Sequence, residues 1–512
     1  MCECLGHMLL SDEPHHTTTD GSYLLDATPK GLHGSSVMAK LLDRRYQPMG
    51  ITPERNQERL FPLNERNLSV IIFTLFSTWL ISFPYEGTIL YALAQCFSLD
   101  VQPMVLGVII VHMIGLFSCG LYIKNIRAAK HLMLYANILF VLCSCVFFFA
   151  PSVLWYIALF AIAFFSGNWI ASWGFYLKKS SPKKQRVKTV SFVLIVSAAI
   201  MILINMIATY ISVYLGLGID VLILISISVL SLQLPEPKEY APKPANKSIK
   251  MSSDLKKVFV FLCLFIAVIT INSGLMFQVV NPAFAGIQWF TSWYWAVPYI
   301  LAILVLRNNL HKINRSYVLY TAIAMMGLSF IAFIALDRSV TSYLIVNTLL
   351  LSACGIYDLF WWSLLGELLE LKENPVMIFG TGLAANVFGV LLGELIALCV
   401  PSDQIVLIAL TIVCITFVML PPLHLYLNKY IFSVLFSETL YRQSNSATDI
   451  LLIENLTERE NQIVACLLKG LTYKMIANEL YLSENTIKTH IKNIYSKLEI
   501  KNKSELIRKL SE

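Results

Sequence analysis

Apolar and polar positions divide the chain into stretches of different character. Residues 1–67 are polar and interrupted by Pro14, Pro29, Pro48, Pro53 and Pro62. They contain no apolar core followed by a small-residue cleavage site, so they read as a disordered leader and not as a signal peptide. From Leu68 the pattern changes. Apolar runs follow at 68–96, 102–123, 131–150, 152–177, 187–210, 212–234, 257–280, 287–306, 316–336, 341–369, 376–400 and 404–427. Each is about the 20 residues that a helix needs to cross a bilayer, or longer. The expectation is an all-α chain with about twelve spans, in which Pro84 and Pro298 kink the first and the eighth. Residues 428–448 read as a juxtamembrane linker, apolar over 430–436 and polar from Gln443. Residues 449–512 then show helical periodicity with frequent charges.

Composition agrees with the spans. The chain of 512 residues is 57% hydrophobic and 14% charged, against about 25% charged in ordinary soluble domains. A soluble globular, disordered or fibrous protein is excluded. Eleven cysteines are scattered, mostly within apolar runs. The C-x-C pairs Cys2/Cys4 and Cys143/Cys145 lack the second half of a zinc site, so no metal is expected. There is no phosphate-binding glycine loop, no nucleophile elbow and no two-histidine zinc helix. Neither a cofactor nor an enzymatic activity is expected.

The net charge of +7 matters less than its placement. Loops on one side of the predicted spans carry Lys124, Arg127 and Lys130, then Lys178 through Lys188, then Lys238 through Lys257, then Arg307, Lys312 and Arg315. Loops on the other side carry essentially Arg338 alone. The positive-inside rule places the basic set in the cytoplasm of a cell membrane, and both termini with it.

The Pro- and Lys-rich linker from Pro235 to Lys257 divides the spans six plus six. This arrangement resembles the major facilitator superfamily, whose two six-helix halves enclose a site between them. The loop after the second span holds Gly120, Lys124, Arg127 and Lys130, with Lys124 where that family has an aspartate. The resemblance implies the architecture and puts the family's transport gating in doubt.

Ionisable and polar residues inside spans are candidate functional groups. Asn168 and Trp169 in span four and Asp358 and Trp361 in span ten stand at nearly equivalent depths of a six-plus-six repeat. Facing each other, they would wall a pocket for an unknown small molecule. Glu86 and Glu394 are further candidates, and Trp289, Trp293, Trp295 and Tyr299 would add an aromatic wall. The same residues also suit plain helix stapling and interfacial anchoring.

The C-terminal stretch reads as a four-helix domain. Thr457-Glu458-Arg459-Glu460 is a capping box ahead of the apolar Ile463, Val464, Leu467 and Leu468. Thr472 caps a short second helix. Ser483 caps a third, with Ile487, Ile491, Ile494 and Leu498 on one face. Lys488, Thr489, Lys492 and Asn493 are left on the other. A fourth begins near 502–504. A helix presenting Lys and Thr after a tight turn suits the major groove of double-stranded DNA, and the amides at the capped N-termini suit phosphates.

These residues, with Gly470-Leu471-Thr472-Tyr473-Lys474-Met475-Ile476-Ala477 and Leu482-Ser483-Glu484-Asn485-Thr486-Ile487-Lys488, closely resemble the LuxR-type (GerE) helix-turn-helix domain. The resemblance implies base contacts from Lys488, Thr489 and Lys492, supported by Asn493, Lys474, Thr472 and Ser483, and a homodimer on DNA. The whole chain then resembles a membrane-bound LuxR-type transcriptional regulator. Its twelve-span domain would sense a small-molecule or membrane signal. The alternative is a secondary transporter with a regulatory DNA-binding tail.

Overall fold

The computed structural model describes residues 64–85, 87–235, 253–284, 286–291, 293–308, 315–369, 374–401, 404–423 and 425. In the C-terminal stretch it describes 456–468, 471, 473, 476–477, 480, 482–500, 502 and 505–506. Residues 1–63 of the leader, the linker 428–448 and Glu86 lie outside the described residues; the leader's last residues, 65–67, belong to the first turn of helix.

Every regular element described is helical. The membrane part contains α1 (Glu65–Ser82), α2 (Gln102–Tyr122), α3 (Ile126–Cys145), α4 (Val153–Ser180), α5 (Arg186–Tyr210), α6 (Val213–Leu232), α7 (Ser253–Leu275), α8 (Ala296–Arg307), α9 (Arg315–Ala335), α10 (Val340–Leu368), α11 (Pro375–Cys399) and α12 (Gln404–Leu423). Lipid offers backbone groups no hydrogen bonds, so a spanning segment must satisfy its own by coiling. Polar side chains start the helices at their ends. Asn125 accepts from Ala128 N at 2.8 Å and Asn374 from Val376 N at 3.1 Å.

Ten of the helices described are long and apolar enough to cross a membrane. The first and eighth predicted spans differ from expectation. Each is broken into two helices, where a single kinked one was expected. The first stops at Ser82, passes through a turn at Phe83–Tyr85, and resumes at Thr88–Cys96. The eighth is a short turn of helix, Gln288–Thr291, followed by α8, which begins two residues before Pro298. Proline has no N–H to donate, so it is cheapest beside a helix end or in a first turn. A π-helical turn, Met276–Val280, ends α7 ahead of Pro282.

Helices α1–α6 and α7–α12 form two halves with corresponding contacts. α1 packs on α5 as α7 does on α11, α2 on α4 as α8 on α10, and α3 on α4 as α9 on α10. The halves meet through α2 against α11 and α5 against α8, which the same repeat relates. Glycines permit the closest approaches. A Cβ on Gly393 of α11 would lie 2.2 Å from the Ile271 carbonyl oxygen of α7, and one on Gly380 would lie 2.3 Å from the Leu116 oxygen of α2. In lipid, where apolar burial drives little, such backbone proximity is a main source of helix association.

The end of the bundle carrying the basic loops is sealed between the halves. Arg186, 2% exposed, donates to the Gly366 oxygen at 2.7 Å in the last turn of α10. It also donates to the Ser181 and Lys178 oxygens at the end of α4, both at 3.1 Å. Asn374 Nδ2 donates across the halves to the Ile123 oxygen at 2.9 Å and the Gly120 oxygen at 3.3 Å.

Gly393→Val should force α7 and α11 apart. The expected result is a melting temperature several degrees below that of the unaltered protein in detergent, or loss of the monodisperse peak, measured by scanning fluorimetry and size-exclusion chromatography.

Candidate nucleic-acid interface and membrane cavity

The C-terminal domain has its own core, centred on Ile463, Leu467, Ile476, Ile487, Ile494 and Leu506. Its first helix, α13 (Glu458–Leu468), opens on the expected capping box: Thr457 N donates to Glu460 Oε2 at 2.8 Å, and Glu460 N donates to Thr457 Oγ1 at 3.3 Å. The same carboxylate accepts from Lys497 Nζ at 2.7 Å, tying α13 to the last turn of α14 (Glu484–Lys497). Burial alone would push the Glu460 carboxyl up. The hydrogen bonds from Lys497 and Thr457 outweigh it and hold the group below the usual carboxylate range. Arg459 Nη2 donates to the Leu480 oxygen at 2.6 Å, bracing α13 against the chain that leads into α14.

Helix α14 starts at Ser483, whose Oγ accepts from Thr486 N at 3.1 Å. It buries Ile487, Ile491 and Ile494. Lys488, Thr489, Lys492 and Asn493 are exposed on its other side. Lys488 pairs with Glu484 at 2.9 Å. Such an exposed i,i+4 pair stabilises a helix by only about 0.3–0.5 kcal/mol, so the lysine is readily redirected to an anion. The helix closes with Glu499 in the left-handed region (φ 54°), Ile500 N donating to the Tyr495 oxygen at 2.9 Å and Glu499 N to the Ser496 oxygen at 3.3 Å. This is a Schellman turn with Glu where Gly is usual. A fourth helical turn is present at Glu505–Leu506, capped by Asn502. Thr472 and Lys474 lie outside the described residues.

The membrane half holds a cavity of about 810 Å³ between its two six-helix sets. Walls come from α1, α2 and α5 on one side and from α7, α8, α10 and α11 on the other. The cavity extends to the bundle end opposite the basic loops, where Tyr85, Thr88, Tyr91, Gln102, Asn281 and Thr291 line it. The broken first and eighth spans supply much of that rim. Toward the sealed end it stops at an aromatic floor. Phe73 stacks on Trp173 at 3.8 Å and tilts against Trp362 at 5.8 Å, and Trp362 meets Phe379 at 5.4 Å.

Of the residues singled out in the spans, Asp358 lines the cavity, together with Trp295 and Tyr299. Its Oδ2 accepts from Tyr299 OH at 2.9 Å. Asn168, Trp169, Trp361 and Glu394 are not among the lining residues. Asn168 turns to Tyr122, which donates to its Oδ1, while Trp169 Nε1 donates to Asn137 at 2.9 Å. Trp361 Nε1 donates to the Gly382 oxygen at 3.1 Å. The reason is azimuth. In α4 the residue facing the cavity is Ile170, and at about 100° per residue Asn168 falls on the far side. In α10 it is Trp362 that faces in, so Trp361 faces α11. Glu394 is buried near α7.

Sequence reasoning passed over three buried groups. His112 lines the cavity, with Nδ1 2.9 Å from Ser166 Oγ. Asp220 in α6 is fully buried against Ser82, whose Oγ lies 2.8 and 2.9 Å from its two oxygens. Arg186 was counted only among the loop cations. A lone charge inside an apolar run was the available signal for Asp220. Among the described residues no group of three or more His, Cys, Asp or Glu is placed to hold a metal ion.

Residues 454–510 match the family described as bacterial regulatory proteins, luxR family. The C-terminal domain is a LuxR-type helix-turn-helix domain. It is 42% identical over 52 residues to the monoamine regulon transcriptional regulator of Klebsiella aerogenes, spanning 10% of this chain and 23% of that protein. It is 38% identical over 68 residues to the transcriptional regulatory protein LiaR of Bacillus subtilis, spanning 13% and 32%. The regulator MalT of Vibrio campbellii shares 46% over 52 residues, spanning 10% and 6%. The chain thus spans less than a third of the length of each of these relatives. The membrane part has the major-facilitator fold. A major facilitator superfamily transporter, FucP, solved in the outward conformation, superposes with a TM-score of 0.52 at 14% identity, over 70% of this chain and 99% of that one. A bacterial homologue of the iron transporter ferroportin gives 0.54 at 15%, with the same coverage.

Lys497→Met should cost the LuxR-type domain about 1–2 kcal/mol, the scale of a charge-assisted hydrogen bond. Because the folded Glu460 carboxyl titrates below its ordinary value, its contribution is present at neutral pH and fades as pH falls from the ordinary glutamate range downward. Urea unfolding of residues 449–512 should therefore show unaltered protein and variant converging in acid.

Proposed function

We propose that the chain is a membrane-integral transcriptional regulator. Its LuxR-type domain binds double-stranded DNA, and the bundle controls that binding in response to a small molecule or a membrane signal. The observation that carries this reading is the exposed set Lys488, Thr489, Lys492 and Asn493 on α14, opposite the buried isoleucines, in a domain of the luxR family. A helix of this kind fits the major groove, where lysine meets guanine edges and threonine meets thymine methyl groups. We assign phosphate contacts to Ser483, through the amides of the helix it caps, and, as the family resemblance implies, to Thr472 and Lys474. A homodimer on two half-sites follows from the way such domains read DNA. The excess of Lys and Arg in one set of loops supports a cytoplasmic-membrane protein with both termini inside, which brings the domain to the DNA.

The bundle serves as sensor through its cavity, with Asp358 the carboxylate on its wall among the described residues. Occupancy favours one packing of the halves over another, and that difference in affinity is what is transmitted. A second reading, a transporter carrying a regulatory tail, is favoured by the major-facilitator fold and the cavity. Lys124 at the position where that family has an aspartate weighs against it.

The Lys488→Ala/Lys492→Ala double variant should weaken specific DNA binding at least tenfold in a mobility-shift assay at fixed salt. In cells, with membrane level verified, its transcriptome should match that of a full deletion. A double variant that behaves like wild type, beside a deletion that loses uptake or efflux of a solute, would overturn the regulator reading in favour of the transporter.

A further inference from the structure

We infer that the cavity of the bundle binds an organic cation, an amphipathic amine or quaternary ammonium or phosphonium compound, held by Asp358 and aromatic walls. The inference rests on reading the cavity as the ligand site of the sensor, and it adds the ligand's charge and shape.

Charge accounting is the first ground. Among the described lining residues Asp358 is the one carboxylate, and none is Lys or Arg. The carboxylate accepts one hydrogen bond among the described residues, from Tyr299 at 2.9 Å. A carboxylate has about four acceptor sites, so it retains capacity for a cationic partner. An anion entering the same space would meet that negative charge and no Lys or Arg among the described lining residues. Intramembrane carboxylates are expensive, and those that persist commonly face a cavity and a partner.

The surrounding wall is the second ground. On α10, Cys354, Asp358 and Trp362 recur at four-residue spacing and all face the cavity, with Tyr357 beside them. Trp295 and Tyr299 face them from α8 and the turn before it. Aromatic faces attract cations, more strongly when water is excluded. Asn205 and Asn386 add neutral polar groups to the wall. A volume of about 810 Å³ lies within the range of drug-sized pockets, about 300–1,000 Å³.

The approach is the third ground. Among the described residues, the connections at that end of the bundle carry Asp100 and Asp337 against Arg338 alone. Arg338 is itself turned to the Phe333 ring, 3.9 Å from its centroid. An acidic approach raises the local concentration of cations and lowers that of anions.

The test uses two ions of nearly the same shape and opposite charge, tetraphenylphosphonium and tetraphenylborate. Each is equilibrated separately by dialysis with the full-length protein in phosphatidylcholine nanodiscs, and uptake by empty discs is subtracted. The expected result is saturable, single-site binding of the phosphonium and none of the borate. Asp358→Asn should weaken phosphonium binding at least about tenfold, and Asp358→Glu, which keeps the charge, should restore most of it. Equal binding of both ions, or binding of the borate alone, overturns the inference, as does an Asp358→Asn protein that binds like the unaltered one. The comparison of the two ions needs no variant, so it stands if Asp358→Asn does not fold. A reporter driven by a promoter that responds to deletion of the protein tests sensing separately. Phosphonium binding with an unchanged reporter supports the cation site and removes the sensor reading.

Discussion

One guanidinium holds the shape of the bundle. Helices end with unsatisfied carbonyls and a partial negative charge. The equivalent helices α4 and α10, one from each half, end near the same point, and Arg186 donates to both. Without that cation, orphan carbonyls of two helices would face each other across the boundary. With it, the halves close at the end where the basic loops lie, and the cavity is left to reach the opposite end. The pocket and its aromatic floor are consequences of being shut at one end. The glycines of α2, α4 and α11 make the closure tight enough for such bonds to form.

The two parts of the chain obey different rules. In the bundle the interior is as apolar as the lipid outside, so its order comes from glycine contacts, aromatic stacks and a few buried polar pairs such as Ser82 with Asp220. In the LuxR-type domain the surroundings are water, and the isoleucines of α14 are buried for the usual hydrophobic reason. Their cores do not share residues, so the proposed control of DNA binding would have to pass through the chain that joins them.

How much was legible in the sequence differed with the kind of signal. The capping box at Thr457, the cap at Ser483 and the buried face of α14 could be read because water on one side imposes an amphipathic period. The spans could be read from length alone. What could not be read was azimuth. A helix apolar on every face gives no indication of which residue looks inward, so Asn168 and Trp361 were placed at a good depth but on the wrong face. Asp358 faces in because Cys354 and Trp362 share its stripe, a pattern visible only once the cavity side is known. Pro84 and Pro298 were read as kinks, and the structure has two separate helices at each place. Whether proline bends a helix or separates two depends on what the freed backbone groups can find nearby, and that is a tertiary matter. Arg186 was hidden among loop cations, because a sealing arginine and a solvated one look alike in sequence.

Between Leu423, the last residue of α12, and Glu458, the first of α13, lie 34 residues. However they are arranged, their contour cannot exceed about 120 Å. Under the proposed function, a regulator held this way would have no access to most of the nucleoid volume. Its operator would have to come within a shell of that thickness beneath the bilayer, and the position of the gene would become part of the regulatory input. Loci drawn to the membrane by other means, such as coupled insertion of their own nascent membrane products, would be captured first. Occupancy would then follow the geography of the chromosome as well as the number of regulator molecules.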